Sequence, residues 1–298
     1  MNKASDPIEV NLAGHDVRLT NLDRVLWPAD GSTKGWLLQS YLSLAPALLP
    51  HLRGHPVTMW RFPEGVDRTG WWQNECRGAP GWVATYNYVG KDDREHRHCV
   101  IDDEASLMWL VNLGTIEIHP FPFRREQPDV ARWLVFDLDP GEPAGVREAC
   151  AVALTLRDAL ASQGLGSFAK TTGSKGMHVF APLNADASFD DTKRFARTVA
   201  AALASELPNV VDRQTRALRA GKVLVDWLQN DRFRSTIAPY SLRATQPASV
   251  STPVTWPEVE AASAEGELTF TVDDVVARLD AHGDLFEPVL SKRQTLPL

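Results

Sequence analysis

Cysteine is scarce in this sequence: Cys76, Cys99 and Cys150 are the only three in 298 residues. They are scattered and form no CxxC pair, so they read as ordinary packed or surface thiols of a reduced, cytoplasmic protein. No apolar run approaches the length of a membrane span. The opening "MNKASDPIEVNLAGHD" has no apolar core, so no export signal is expected. Low-complexity stretches and repeats of solenoid period are absent, and so is the GxxxxGK[ST] phosphate loop. Positive charge is in deficit, with 31 Lys and Arg against 38 Asp and Glu and a net charge of −7. That balance argues weakly against nucleic-acid binding, but distribution matters more than the sum. Arg213, Arg216, Arg219, Lys222, Arg232 and Arg234 crowd around Asp226 and Asp231, while acid collects in "EVEAASAEGE". A basic stripe on an acidic body suits gripping phosphates at one place.

Hydrophobic residues make up 44% of the chain, enough for a sizeable core in one large domain or two lobes. "STKGWLLQSYLSLAPALLPHL" predicts a helix capped by Ser32 or Thr33. "HPVTMWRF", "TGWWQNE" and "WVATYNYV" predict strands, and "KDDREHRH" a polar connection of hairpin type. "EASLMWLVNLG" reads as a short buried helix, and "TIEIHPFPF" as a strand that prolines close. Then "WLVFDLDPG" opens a second series: strand, the helix "GVREACAVALTLRDALASQGLG", a hairpin around "KTTGSKGMHVF", another helix from Ser188, and the strand "KVLVD". Strands and helices in this order give an α/β (α+β) fold with a mixed central sheet flanked by helices.

The acids of "WLVFDLDPG" carry the first constellation. Side chains alternate along a strand, so Asp137 and Asp139 leave one face. Two carboxylates that close repel each other, and desolvation penalises both. Asp226 ends another apolar strand about 90 residues later. Three carboxylates on strand ends can hold one or two hard divalent cations, which clamp the oxygens of a phosphoryl transfer. DxD phosphatases and glycosyltransferases use the same signal. The haloacid-dehalogenase pattern, however, puts Thr or Val two residues after the second Asp, where this chain has Gly141.

The second constellation is "KTTGSKGMHVF". Small hydroxyl residues, two glycines and Lys175 in a turn make a nest for phosphate oxygens, with Ser174 among the donors. His178 lies on the outgoing strand. Arg243 closes the basic stretch that flanks Asp226, and guanidinium groups beside a metal site suit triphosphates. Trp71 and Trp72 face opposite sides of a strand, so one can stack on a base while the other packs. His119 ends "TIEIH", within reach of a sugar hydroxyl. The histidines of "EHRHC" lack further ligands at zinc-like spacing and are not read as a metal site.

Together, "LVFDLDPG", "TTGSKGMHVF", "LRAGKVLVDWLQN", "STIAPYSLRA" and "VSTPVTW" resemble the polymerase domain of bacterial ligase D, of the archaeo-eukaryotic primase superfamily. The resemblance runs from "LTNLDRVLWP" almost to the C-terminus. It implies one primase-polymerase domain over 1–298, stand-alone at this length. A β-rich N-terminal subdomain (1–125) would carry 5′-phosphate and base contacts, and 126–298 would be the primase-like catalytic core. Asp137, Asp139 and Asp226 would bind two catalytic ions, Mn²⁺ or Mg²⁺. Thr172, Ser174, Lys175 and Arg243 would hold the incoming triphosphate, with His178 supporting the pocket. His119 would contact the ribose, in keeping with a preference for ribonucleotides. Asn21, Arg24 and Lys34 would grip the 5′-phosphate across a gap, Trp71 or Trp72 would stack on nucleobase or template, and Arg219 would lie in the loop presenting the primer. The implied activity is template-directed nucleotidyl transfer, extending primers or filling short gaps in DNA repair. The implied partners are DNA with a primer end, gap or 5′-phosphorylated break, NTPs and dNTPs, and other repair proteins, in the cytoplasm at the nucleoid and with no membrane. The chain departs from the family at Trp60 and Asn74, where basic residues are common, and at Trp71-Trp72, which replaces Phe-Phe.

Overall fold

The computed structural model describes residues 6–89, 93–183 and 187–297. Two β-sheets face each other, and helices cover their outer faces. One half is built on a six-stranded sheet. Its order is Val210–Val211, Val223–Asp226, Trp133–Pro140, Met177–Pro182, Phe168–Thr171 and Pro253–Val254. All neighbours are antiparallel except the first pair. The central strand Trp133–Pro140 alternates as the sequence demands. Leu134, Phe136 and Leu138 enter a core with Met177, Val179, Val223 and Val225, under the helices Val146–Ser162 and Phe189–Glu206. Trp133 and Val135 leave the other face with Phe180, against Phe286 and Val289. Asp137 and Asp139 continue that second face beyond the apolar patch.

The other half is a five-stranded sheet. Pro56–Arg61 pairs with Thr115–Pro120 on one side, and with Trp71–Gln73 and then Glu95–Val100 on the other. Thr85–Val89 closes the edge as a hairpin with Glu95–Val100; the "EHRH" of the expected connection belongs to that second strand, and residues 90–92 lie outside the described residues. Val57, Met59, Ile116 and Ile118 face the helices Lys34–Leu52 and Glu104–Asn112. Thr33 caps the first helix, accepting from Trp36 N. The opposite face of this sheet carries Thr58, Trp60, Trp72, Glu117 and His119, because the ladders set Glu117 beside Trp60, Trp60 beside Trp72, and His119 beside Thr58.

The halves are not two successive stretches of chain. Ala238, Tyr240, Leu242, Val250, Val272 and Val275 belong to the first core, so the C-terminal segment returns to the N-terminal sheet. Tyr41 ties that return. Its hydroxyl donates to Ile116 O (2.6 Å) and meets Ser241 Oγ (3.0 Å). Further on, Asp284 accepts from Tyr240 Oη (2.6 Å) and lies 2.8 Å from His51 Nε2.

One expectation fails. Cys76 and Cys99 are joined as a disulfide, and only Cys150 is free, buried in the core of the six-stranded half. The reason is the ladder. The turn after Trp71–Gln73 runs beside Glu95–Val100, with Cys76 N bonded to Arg97 O at 2.7 Å, and brings the two Cα atoms to 4.9 Å. Residues 23 apart in the sequence reveal nothing of this until the strands are paired. The cysteines therefore carry no argument for a reducing compartment. Among the described residues no helix is long and apolar enough to cross a membrane.

Burial works to raise the Asp284 carboxyl pKa, but the bonds from His51 and Tyr240 override it and hold it below the ordinary value. A depressed carboxylate stabilises the fold above its unfolded pKa, and that contribution is lost as pH falls through the folded value. Asp284→Asn should cost about 1–3 kcal/mol in urea unfolding at pH 7. The gap to the native protein should shrink below about pH 4, where the unfolded carboxylate protonates; a gap independent of pH would contradict the assignment.

Candidate active site

One row of side chains crosses the catalytic sheet. The registers place Lys170 opposite His178, His178 opposite Asp137, and Asp137 opposite Asp226. Partners directly opposite in a ladder share a face, so these four and Asp139 project together toward the N-terminal sheet. The space between holds a cavity of about 350 Å³. Its wall on the six-stranded side includes Asp137, Asp139, Thr172, Ser174, Lys175, His178 and Arg243, and its opposite wall includes Trp72 and His119. Gly176, Gln229, Ser235, Thr236 and Ile237 complete it.

His178 lies 3.3 Å from Asp137 Oδ1 through Nε2. Burial, and then Lys170, push its pKa down to about 4, so at neutral pH it donates as a neutral imidazole. Burial works to raise the Asp137 pKa, but His178, Lys170 and Arg243 outweigh it and hold the carboxyl low. Lys170 is fully buried, donates to Ser251 Oγ at 2.6 Å, and is pushed well below the usual lysine range by burial and by Arg243. Asp226 moves the other way: burial, reinforced by Asp137 across the ladder, raises it. Its carboxylate does not line the cavity. It accepts from Leu228 N (3.0 Å), Gln214 Nε2 (2.9 Å) and Gln229 Nε2 (3.3 Å). Asp139 is paired with the Arg219 guanidinium.

Among the described residues, no three His, Cys, Asp or Glu side chains are gathered to hold a metal as they stand. The donor chemistry nevertheless fits a hard cation. Three carboxylates occupy neighbouring ladder positions on one face, and Arg219 neutralises the one nearest the mouth. Arg219 therefore sits on a carboxylate of the cluster, where the resemblance places it in a loop facing the primer. Gly141 makes this possible, since a Cβ there would meet Arg219 O at 2.1 Å.

The nest around Gly173 is held from both sides. Thr172 Oγ1 donates to Gly176 O at 3.2 Å, and Ser249 Oγ donates to Gly173 O. Ser174 is exposed, and Lys175 lies 3.7 Å from Glu142 Oε1. Arg243 meets Glu117 at 3.3 Å. Trp72 packs edge-on against His119 (4.6 Å) and stacks on Trp60 (5.0 Å, 17°), so the departure at Trp60 supports the aromatic it accompanies. Trp71 faces the other way, under Arg61, whose guanidinium is 5.3 Å from its ring.

Asn21, Arg24 and Lys34 are brought together away from the cavity, at the start of the Lys34–Leu52 helix. Asn21 takes a positive φ of 55°, turning the chain so that Arg24 N reaches Asn21 O at 3.1 Å. Lys34 donates to Thr20 O at 2.6 Å, and burial with the charges of Arg24 and Arg61 lowers it to about 8. Arg24 pairs with Glu64 at 2.6 Å. The first helical amides are already bonded to Arg24 O and Leu22 O, so an anion here would be held by side chains. Sequence reasoning missed Lys170, Glu117 and the glutamines on Asp226. The alternation in "TIEIH" and the Lys opening "KTTGSKG" were the signals available for the first two.

The fold and site are those of an α/β protein with a carboxylate and phosphate-nest pocket between two sheets. The chain belongs to the family described as "LigD, primase-polymerase domain", whose model matches residues 33–286. It is 37% identical over 92% of its length to the multifunctional non-homologous end joining protein LigD of Mycolicibacterium smegmatis, and 29% identical over 95% to the bifunctional LigD of Bacillus subtilis. It spans 36% and 45% of those relatives. The polymerase domain from Mycobacterium tuberculosis ligase D in complex with DNA superposes with a TM-score of 0.85 at 34% identity, over 93% of this chain and 98% of that one.

Gly173 and Gly164 have the same positive φ, 77° and 78°, but a Cβ at Gly173 would stand 2.5 Å from Arg243 Cγ while one at Gly164 meets nothing within 4 Å. Gly164→Ala should cost about 1–2 kcal/mol of backbone strain. Gly173→Ala should cost at least about 1 kcal/mol more by crowding. Equal losses in urea unfolding would show that Gly173 is kept for its φ alone.

Proposed function

We propose that the chain is a template-directed nucleotidyltransferase that extends a 3′-hydroxyl and fills short gaps in DNA, preferring ribonucleotides. The observation that carries this is the ladder position of Asp137 opposite Asp226, with Asp139 on the same face and the Thr172–Gly176 nest and Arg243 on the same cavity. Two divalent ions, Mn²⁺ or Mg²⁺, held by Asp137, Asp139 and Asp226 would activate the 3′-hydroxyl and neutralise charge developing on the phosphates. Asp226 would turn from its glutamines, and Arg219 would leave Asp139 for the primer. Thr172, Ser174, Lys175 and Arg243 hold the triphosphate of the incoming NTP or dNTP. His178 keeps Asp137 oriented. His119 meets the ribose, and Trp72 offers a stacking face to the base. Asn21, Arg24 and Lys34 grip the 5′-phosphate on the far side of the gap, and Trp71 offers a stacking face to the template. The M. tuberculosis domain was solved in complex with DNA, and the curated relatives are end-joining proteins; a gapped or broken duplex is the substrate read across. Other repair proteins are expected as partners, at the nucleoid in the cytoplasm. The proposed subdivision gives 1–125 the 5′-phosphate and base contacts and 126–298 the chemistry, with Ala238, Tyr240, Leu242, Val250, Val272 and Val275 of the latter packing back on the N-terminal core.

The test is a gapped, 5′-phosphorylated duplex with each NTP and dNTP and Mn²⁺ or Mg²⁺. Incorporation should follow the template base. Asp137→Ala and Asp139→Ala should each lower it by at least about 10³-fold. Inorganic phosphate released from small esters without a template would instead mark a phosphatase, and gap binding with no incorporation a bridging module.

A further inference from the structure

Glu117 is 1% exposed and belongs to the N-terminal sheet. A carboxylate this deep needs every lone pair engaged. Its Oε2 takes His119 Nε2 at 3.0 Å and Arg243 Nη1 at 3.3 Å, and its Oε1 takes the amide of Ala244 at 3.1 Å. The three partners come from both sides of the cavity. His119 stands two residues along the same strand, while Arg243 and Ala244 sit on the returning C-terminal segment beside the nest.

The chemistry of these contacts constrains both groups. An ionised carboxylate only accepts, so the His119 Nε2 facing it carries the hydrogen. The other ring nitrogen, Nδ1, is then an acceptor in the neutral ring, and an acceptor is what a sugar hydroxyl needs as a donor. Arg243 is tethered at one end, with Gly173 packed against its stem, so few rotamers remain to be lost when a phosphate arrives. We infer that Glu117 is a positioning residue that sets the tautomer of His119 and the reach of Arg243 together, and so tunes both sugar discrimination and triphosphate affinity. This rests on the polymerase reading of the pocket.

Two variants separate the arms. Glu117→Gln keeps an amide oxygen for His119 but has no charge for Arg243. It should raise KM for GTP and dGTP alike, by about tenfold, with kcat within about threefold of the native enzyme. Glu117→Met removes both contacts. It should show the same rise and also lose the preference for GTP over dGTP in kcat/KM, down to the level of His119→Ala. The Glu117→Met, His119→Ala double variant should lose no further preference, because the two act through one contact. KM within twofold of native for both Glu117 variants, a fall in kcat at unchanged KM, or multiplying losses of preference would each overturn the inference. Should Glu117→Met not fold, judged by circular dichroism, the KM split of Glu117→Gln decides alone. A native protein that incorporates no nucleotide falls on the polymerase reading instead, while one that incorporates GTP and dGTP equally overturns the sugar half of the inference.

Discussion

Two carboxylates facing each other across a β-ladder, Asp137 and Asp226, are the constraint around which the six-stranded half is arranged. Opposed side chains sit about 5 Å apart. At an effective dielectric near 20 their repulsion is about 3 kcal/mol. The strands cannot slip to relieve it, because a shift of one residue would turn Leu134, Phe136 and Leu138 out of the core. Positive and donor groups therefore crowd the row: His178 and Lys170 beyond Asp137, amide donors on Asp226, and Arg219 on Asp139. Each relieves the charge without removing it, which leaves a strong local demand for a cation.

The second sheet supplies what the first lacks. Its inner face is aromatic and imidazole-bearing, with Trp72, Trp60 and His119. It is joined to the phosphate side by the return of the C-terminal segment, stitched through Tyr41, Ser241 and Glu117. A cavity closed by residues distant in the chain keeps its width only if such crossings hold, and here they are short and buried.

The elements that alternate strictly were legible in the sequence. The period of two in "WLVFDLDPG" put Asp137 and Asp139 on one face, and the ladder confirms it. Thr33 and Ser188 as caps, the hairpin after "KTTGSKG" and the opposed directions of Trp71 and Trp72 could be read locally for the same reason. Features set by pairing could not. The Cys76–Cys99 link depends on which strands neighbour each other, and the meeting of Arg219 with Asp139 on a loop closing over Gly141. Glu117 hid because a charged residue inside an apolar strand has no meaning until Arg243 and Ala244, more than 100 residues away, are in place. The pairing of Asp226 with glutamines depends on rotamers, which no spacing encodes.

Asp137, Asp139 and the opposed Asp226 would form a cation site whose charge Arg219 partly meets by pairing with Asp139. Anomalous diffraction at the manganese edge, on crystals of the native protein grown with Mn²⁺ and a non-hydrolysable nucleoside triphosphate, tests it most directly. The expected result is manganese density between Asp137 and Asp139, with Asp226 turned toward it and Arg219 withdrawn from Asp139. Triphosphate bound in the nest with Arg219 still on Asp139 and no manganese at the carboxylates would contradict it.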